Sequence, residues 1–167
     1  MTSASARVRE IEPVRASVEV AVPPARAFEI FTNRITDWWR PEHHIGPSPL
    51  KNVVLEPRVG GRWYEVDQDD SVCEWGKVLV YEPPSRLVLA WQLNEHWKYD
   101  PDFVTELEVR FVPEGAFTRV ELEHRDLERF GQKEDAVRAA LDSPGGWTGA
   151  LTAYAARLDQ LSEKVIP

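Results

Sequence analysis

Ser143-Pro144-Gly145-Gly146-Trp147-Thr148-Gly149-Ala150-Leu151 opens a segment that runs on through Tyr154, Leu158 and Leu161 almost to the C-terminus. Trp147, Leu151, Tyr154, Leu158 and Leu161 recur at steps of four, three, four and three, the spacing of one helical face. Arg157, Asp159, Gln160, Glu163 and Lys164 fall mainly on the other side. Ser143 offers a capping oxygen and Pro144 suits a first helical position, so the helix is expected to open there. The three glycines around Trp147 are unusual, since each costs about 1 kcal/mol against alanine in a helix interior. They indicate either a frayed first turn or a close backbone approach, to a strand or to a bound molecule.

A long amphipathic helix needs an apolar surface to lie on, and the preceding residues supply one. Thr105, Leu107, Val109 and Phe111 alternate with Glu106, Glu108 and Arg110. After a turn at Pro113-Glu114-Gly115, Thr118, Val120, Leu122 and His124 alternate with Arg119, Glu121 and Glu123. This is a hairpin with one charged face and one face that must be covered. Upstream, Lys51 to Arg125 reads as consecutive strands: Val53 to Glu56, a strand interrupted by Gly60-Gly61 and continuing from Arg62 to Val66, Cys73 to Tyr81, and Leu87 to Leu93. Asp67 to Ser71 is read as a polar hairpin tip, Gly60-Gly61 as a bend in the sheet, and Glu95 to Asp102 as a loop carrying His96, Trp97 and Tyr99.

Before this meander, Arg15 to Val22 alternates as a half-buried strand, stopped by Pro23-Pro24. Ala27, Phe28 and Phe31 share a face of a short helix, and Asn33 can cap a second short turn ending at Trp38-Trp39. A loop to Pro49 carries His43-His44, and Leu127 to Leu141 is a short helical connection using Phe130, Val137, Ala140 and Leu141. The predicted class is α+β: a curved antiparallel sheet of about six or seven strands wrapped around a long C-terminal helix, with two short helices after the first strand. Residues 1–14 are expected to be a disordered tail and residues 15–167 a single domain.

The chain has 167 residues, 43% of them apolar and 29% charged, enough to bury roughly 70% of its unfolded surface as one domain. A net charge of -8 argues against a nucleic-acid backbone or an anionic membrane surface as partner. Cys73 is the only cysteine, which excludes an internal disulfide and fits a reducing cytoplasm. The polar start, Met1 to Glu12, has no signal-peptide or membrane-span pattern. Seven tryptophans against one methionine stand out, because indoles serve cores and ligand pockets alike.

Four stretches together carry a family resemblance. Phe28 to Pro41 (FEIFTNRITDWWRP), Gly60-Gly61-Arg62-Trp63, the run from Gly76-Lys77-Val78 through Pro83-Pro84-Ser85-Arg86-Leu87 to Trp91, and Gly146-Trp147 with Leu151 resemble the START/Bet v 1-like (SRPBCC) superfamily. The branch they are most similar to is the activator-of-Hsp90-ATPase-like group of small, mostly bacterial proteins. The resemblance covers residues 15 to 162. It implies a helix-grip fold with a deep cavity between sheet and helix, in which family members bind lipids, hormones or polyketides or catalyse cyclisation or dehydration.

Within that frame, Trp39, Trp63, Trp91, Trp97, Trp147, Leu151 and Tyr154 are candidates for the cavity wall and gate, each with plain core packing as the rival role. His124 lies on the covered face, either as a core histidine bonded to a neighbour or as a polar contact to a ligand. Glu65 shares the parity of Trp63; buried alone it would have a raised pKa and could act as a general acid, whereas exposed or ion-paired it would do neither. Neighbouring residues such as His43 and His44 rarely face one ion, and no zinc spacing is present, so neither a metal nor another cofactor is expected. A dry void of about 300 Å³ would cost around 7 kcal/mol, so any such hollow should hold water or an apolar ligand. The function expected is therefore binding of a small apolar or aromatic molecule. A cyclase or dehydratase using Glu65 or His124 is the second reading, and a chaperone partner ranks last. A homodimer is compatible with the sequence, though no motif marks one.

Overall fold

A computed structural model of the chain describes residues 11–163, with side chains described to Leu161. The expected tail, residues 1–14, falls mostly outside it, but Val14 is already a buried strand residue. The first strand, β1 (Val14–Val20), thus begins one residue before the expected boundary. Thr118 Oγ1 donates to Val22 O at 2.7 Å, holding the chain as it leaves β1. Pro24 then opens α1 (Pro24–Asn33), whose inner face is Ala27, Phe28, Ile30 and Phe31. The short α2 (Ile35–Trp38) follows with Arg34, not Asn33, at its N-cap.

The remaining strands are β2 (Leu50–Leu55), β3 (Arg62–Asp67), β4 (Val72–Glu82), β5 (Arg86–Trp91), β6 (Thr105–Glu114) and β7 (Phe117–Arg125). They form one antiparallel sheet in the order β1-β7-β6-β5-β4-β3-β2. Only the link from β1 to β2 crosses between edges, and α1 and α2 make that crossing. The sheet bends where register slips, between Trp63 and Tyr64 against β4 and between Val78 and Val80 against β5. Gly60 and Gly61 lie in the turn before β3, so the bend expected at this pair sits a few residues further on.

A 3₁₀ segment, Leu127–Lys133, and α3 (Glu134–Asp142) lead to the closing helix α4 (Trp147–Glu163). Trp147, Leu151, Tyr154 and Leu158 are buried along one face as the spacing predicts, with Leu161 half-buried. The helix start differs from expectation. Ser143 ends α3, its hydroxyl donating to Ala140 O at 2.7 Å, and α4 begins four residues later. The glycines do permit close approach, but to α3 and a loop rather than to the sheet. A Cβ on Gly146 would lie 2.1 Å from Leu141 O, and one on Gly149 2.4 Å from Arg40 Nη1.

One half of the core is closely packed and aromatic. Phe28, Phe31, Trp38, Phe111 and Tyr154 meet edge to face or tilted, and Tyr154 Oη donates to Ala27 O at 2.7 Å. Among the described residues no helix is long and apolar enough to cross a membrane.

Candidate functional site

The other half of the core is built of indoles, and it is not filled. A cavity of about 350 Å³ lies at the N-terminal end of α4, walled by Trp39, Trp75, Trp91, Leu93, Trp97, Leu141, Trp147 and Ala150. Its polar edge is the loop residues Arg40, Glu42, His43 and His44. This volume and this mixture of an apolar wall with a few convergent polar groups are those of a small-molecule site.

Four of the eight residues proposed from sequence for ligand contact are brought together here: Trp39, Trp91, Trp97 and Trp147. Trp39 is a fixed wall rather than a free gate, since its Nε1 donates to His43 O at 2.8 Å and its ring lies 5.0 Å from that of Trp75. Trp97 is 41% exposed at the mouth, with a positive φ of 59° and its ring edge toward Trp91. The other four, Trp63, Leu151, Tyr154 and His124, are core. Trp63 stands behind Trp39, Trp75 and Trp91, Tyr154 packs on Phe31 and Trp38, and Leu151 is buried away from the cavity lining.

His124 is a core histidine with complete partners. Trp147 Nε1 donates to its Nδ1 at 3.1 Å, which leaves the ring proton on Nε2 to donate to Thr105 Oγ1 at 2.8 Å. Complete burial pulls its pKa down to about 3, so it is neutral across the ordinary range. Both ring nitrogens of His124 are thus taken by protein partners, and it does not line the cavity. It positions Trp147 from behind.

Glu65 is buried as its parity with Trp63 suggested, but not alone. Ile45 N and Trp75 Nε1 donate to Oε1 at 2.7 and 2.8 Å, Gly46 N donates to Oε2 at 3.1 Å, and His44 Nδ1 lies 3.3 Å from Oε2. Burial alone would raise its pKa, yet the neighbouring Asp67 carboxyl, the two amides and the indole bring it below the ordinary value. The raised acid expected at Glu65 is instead Asp67, two residues on. Burial first, then the adjacent Glu65, push Asp67 up to about 6 against the weaker pull of the Ser48 amide and His44. Neither oxygen of Asp67 has a hydrogen-bond donor in bonding geometry, and the side chain is wholly buried.

Asp67, expected in a polar hairpin tip, is the last residue of β3, facing inward with Trp63 and Glu65. That every-second-residue spacing was the signal that could have found it. Trp75 was also missed. The register slip on β4 buries Trp75 and Gly76 in succession, which no alternation rule anticipates. His44, Ile45 and Gly46 reach the carboxylates from a loop distant in sequence. The loop is pressed on them: a Cβ on Gly46 would lie 1.6 Å from Asp67 Oδ2, so a larger residue there would have to displace the carboxylate.

A curved sheet gripping a C-terminal helix, with an aromatic cavity at the start of that helix, defines a helix-grip protein of the START/Bet v 1 type. The chain belongs within it to the family described as Activator of Hsp90 ATPase homolog 1-like protein, whose model matches residues 21–161. Among solved structures, it is 42% identical to one described as an anthrahydroquino-γ-pyrone synthase, Txn09, over 89% of this chain and 97% of that one, with a TM-score of 0.63. It is 30% identical to the self-sacrificing resistance protein CalC from Micromonospora echinospora, over 90% and 96% of the two chains, TM-score 0.66. Protein NE0264 from Nitrosomonas europaea, 18% identical over 91% and 97% with a TM-score of 0.65, shares the fold. No curated protein matches the chain at a significant level.

Proposed function

We propose that this protein binds a flat, polycyclic aromatic metabolite in the indole-walled cavity and promotes a ring-forming proton transfer on it. The observation that carries this reading is the distribution of groups. Apolar aromatic surface surrounds the cavity, and the groups able to exchange protons gather on one edge, where Glu65 holds His44. With Nδ1 held by a carboxylate, the other ring nitrogen of His44 is the one open to a ligand proton, an arrangement that orients a general base. Trp91, whose indole N–H is buried without an acceptor, offers a donor to a ligand oxygen. The similarity to a protein named as a γ-pyrone synthase supports a hydroxylated aromatic substrate.

The test is a titration of tryptophan fluorescence with a hydroxylated anthraquinone, followed by an assay of ring closure on an open-chain precursor of that class. Saturable one-to-one quenching is expected, and His44→Ala should keep the quenching while lowering turnover by about a hundredfold or more. Absence of quenching by any polycyclic aromatic would end the proposal. Binding with no turnover in the unaltered protein would leave a storage or protective role, which the likeness to a resistance protein favours.

A further inference from the structure

Beneath the loop at the cavity edge, His44, Glu65 and Asp67 turn one atom each toward a common point, all within 4.8 Å of one another. His44 Nδ1 is 3.3 Å from Glu65 Oε2 and 3.8 Å from Asp67 Oδ1. An ion about 2.0–2.2 Å from each of two ligands, with ligand angles between about 90° and 120°, sets those ligands roughly 2.8–3.8 Å apart. Both spacings from His44 fall in that range, and the two carboxylate oxygens lie within 4.8 Å of each other. Two further observations point the same way. Asp67 is wholly buried with both oxygens lacking a donor, although a buried carboxylate needs a compensating partner. Glu65 is already prepared as a ligand, because Ile45 and Trp75 hold Oε1 while Oε2 faces the histidine and takes one further contact, from Gly46 N at 3.1 Å. Such outer contacts on the non-ligating oxygen fix a carboxylate for metal binding.

We propose that His44, Glu65 and Asp67 form a binding site for a divalent first-row transition-metal ion. One imidazole and two carboxylates suit Zn2+ or Mn2+ better than the all-oxygen preference of Mg2+. The ion takes the place of the hydrogen between His44 and Glu65: the ring proton moves from Nδ1 to Nε2, and Nδ1 becomes a ligand. Entry is past His44, whose side chain is 21% exposed while both carboxylates are fully buried. The ion clamps the loop of residues 44–46 onto β3. It also occupies the nitrogen by which Glu65 orients His44, so that ion binding and proton transfer by His44 exclude one another. Only this last consequence rests on the function proposed above.

The experiment is calorimetric titration and native mass spectrometry of the chelator-treated full chain with Zn2+, then with Mn2+ and Mg2+. One Zn2+ per chain is expected, held more tightly than Mn2+ and far more tightly than Mg2+. Asp67→Asn, which keeps the side chain's shape, and His44→Ala should each weaken Zn2+ binding about tenfold or more. His96→Ala, removing an exposed histidine that pairs with Glu95 at 3.3 Å, should leave it unchanged. Circular dichroism establishes that each variant is folded. Failure of the unaltered protein to bind Zn2+, equal binding by folded Asp67→Asn, or loss of binding in His96→Ala would each overturn the site. Tryptophan quenching by the anthraquinone, measured in the presence of chelator, reports on the cavity separately, so either proposal can fail while the other stands.

Discussion

Glu108 and Asp67 are both carboxylates withdrawn from water by the same sheet, and their surroundings are opposite. Glu108, on the outer face of β6, receives Arg86 and Arg110 on Oε2 at 2.7 Å each and Arg125 on Oε1 at 2.5 Å. Burial there would raise its pKa, but the three guanidinium groups hold it down to about 2. Asp67, at the end of β3 and facing inward, receives no donor and has a second carboxylate beside it, and its pKa rises to about 6. The two histidines repeat the contrast. His124 has a partner on each ring nitrogen, whereas His44 has one nitrogen on Glu65 and the other without a partner among the described residues. Finished polar clusters hold the fold together, while the unfinished one sits at the cavity edge, where a further molecule or ion can complete it.

The largest test breaks the finished cluster of His124. Trp147 is buried, forms part of the cavity wall and donates to His124, so Trp147→Ala combines a cavity with an unpaired nitrogen. A loss of about 3 to 5 kcal/mol in urea unfolding is expected, with ligand quenching falling together with stability. A variant of unchanged stability would show that this end of α4 is not built as described.

Next in size is an acid titration of stability, performed in Asp67→Asn so that the buried carboxyl pushed up to about 6, which titrates in the opposite sense, is removed. Asp126, also raised by burial, remains in the variant. His124 has a folded pKa of about 3 against 6.5 unfolded. Between those values the unfolded chain binds the extra proton, so stability present above pH 6.5 is lost as pH falls toward 3. The loss should reach about 3 kcal/mol by pH 4. Glu108, depressed to about 2 from 4.5, adds its own loss below about pH 4.5. A flat profile from pH 7 to 4 would mean that His124 is not the sealed neutral group described.

Third, Glu108→Gln leaves three arginines facing a neutral amide. Arg110 and Arg86 keep much of their contact with water, so the cost falls at or below the lower end for a broken buried pair, about 2 to 3 kcal/mol. A thermal midpoint lower by roughly 4 to 12 °C checks it. Ligand quenching should be unaffected, because the outer face of β6 does not border the cavity.

How much of this contrast was legible in the sequence differs between its two sides. The hairpin of β6 and β7, the apolar stripe of α4 and the succession of strands along the chain follow from period-two and near-four spacings, which local sterics impose wherever one face is buried. Glu65 was legible as inward from its parity with Trp63, and His124 from its parity with Leu122. Trp39, Trp91, Trp97 and Trp147 were legible as cavity wall, but the acidic edge was not. Asp67 looked like the start of a polar turn because its burial depends on a loop, residues 44–46, that closes over it from another part of the chain. Trp75 faces the cavity only because β4 carries an extra residue at that point. Ser143 resembled a helix cap because a hydroxyl beside a proline suits both a helix start and a helix end, and only the position of α3 decides which.

The smallest expected effect sharpens the comparison most. In chelator-treated protein, Asp67→Asn removes one of two adjacent buried carboxylate charges without changing shape. Since no donor reaches Asp67 in bonding geometry, and the weak pull of the Ser48 amide can pass to the oxygen of the new side chain, stability at pH 7.5 should be unchanged or raised by less than about 1 kcal/mol. The same change of charge to amide costs 2 to 3 kcal/mol at Glu108 in the prediction above, so the two variants measured side by side by urea unfolding compare the surroundings of the two carboxylates directly. Equal destabilisation would mean that Asp67 has protein partners as effective as the arginines of Glu108, and the cavity edge would then be a finished structural cluster. A neutral result at Asp67 beside a costly one at Glu108 would leave this carboxylate without a structural debt to the fold, and its retention in a buried position would have to be explained by what it binds.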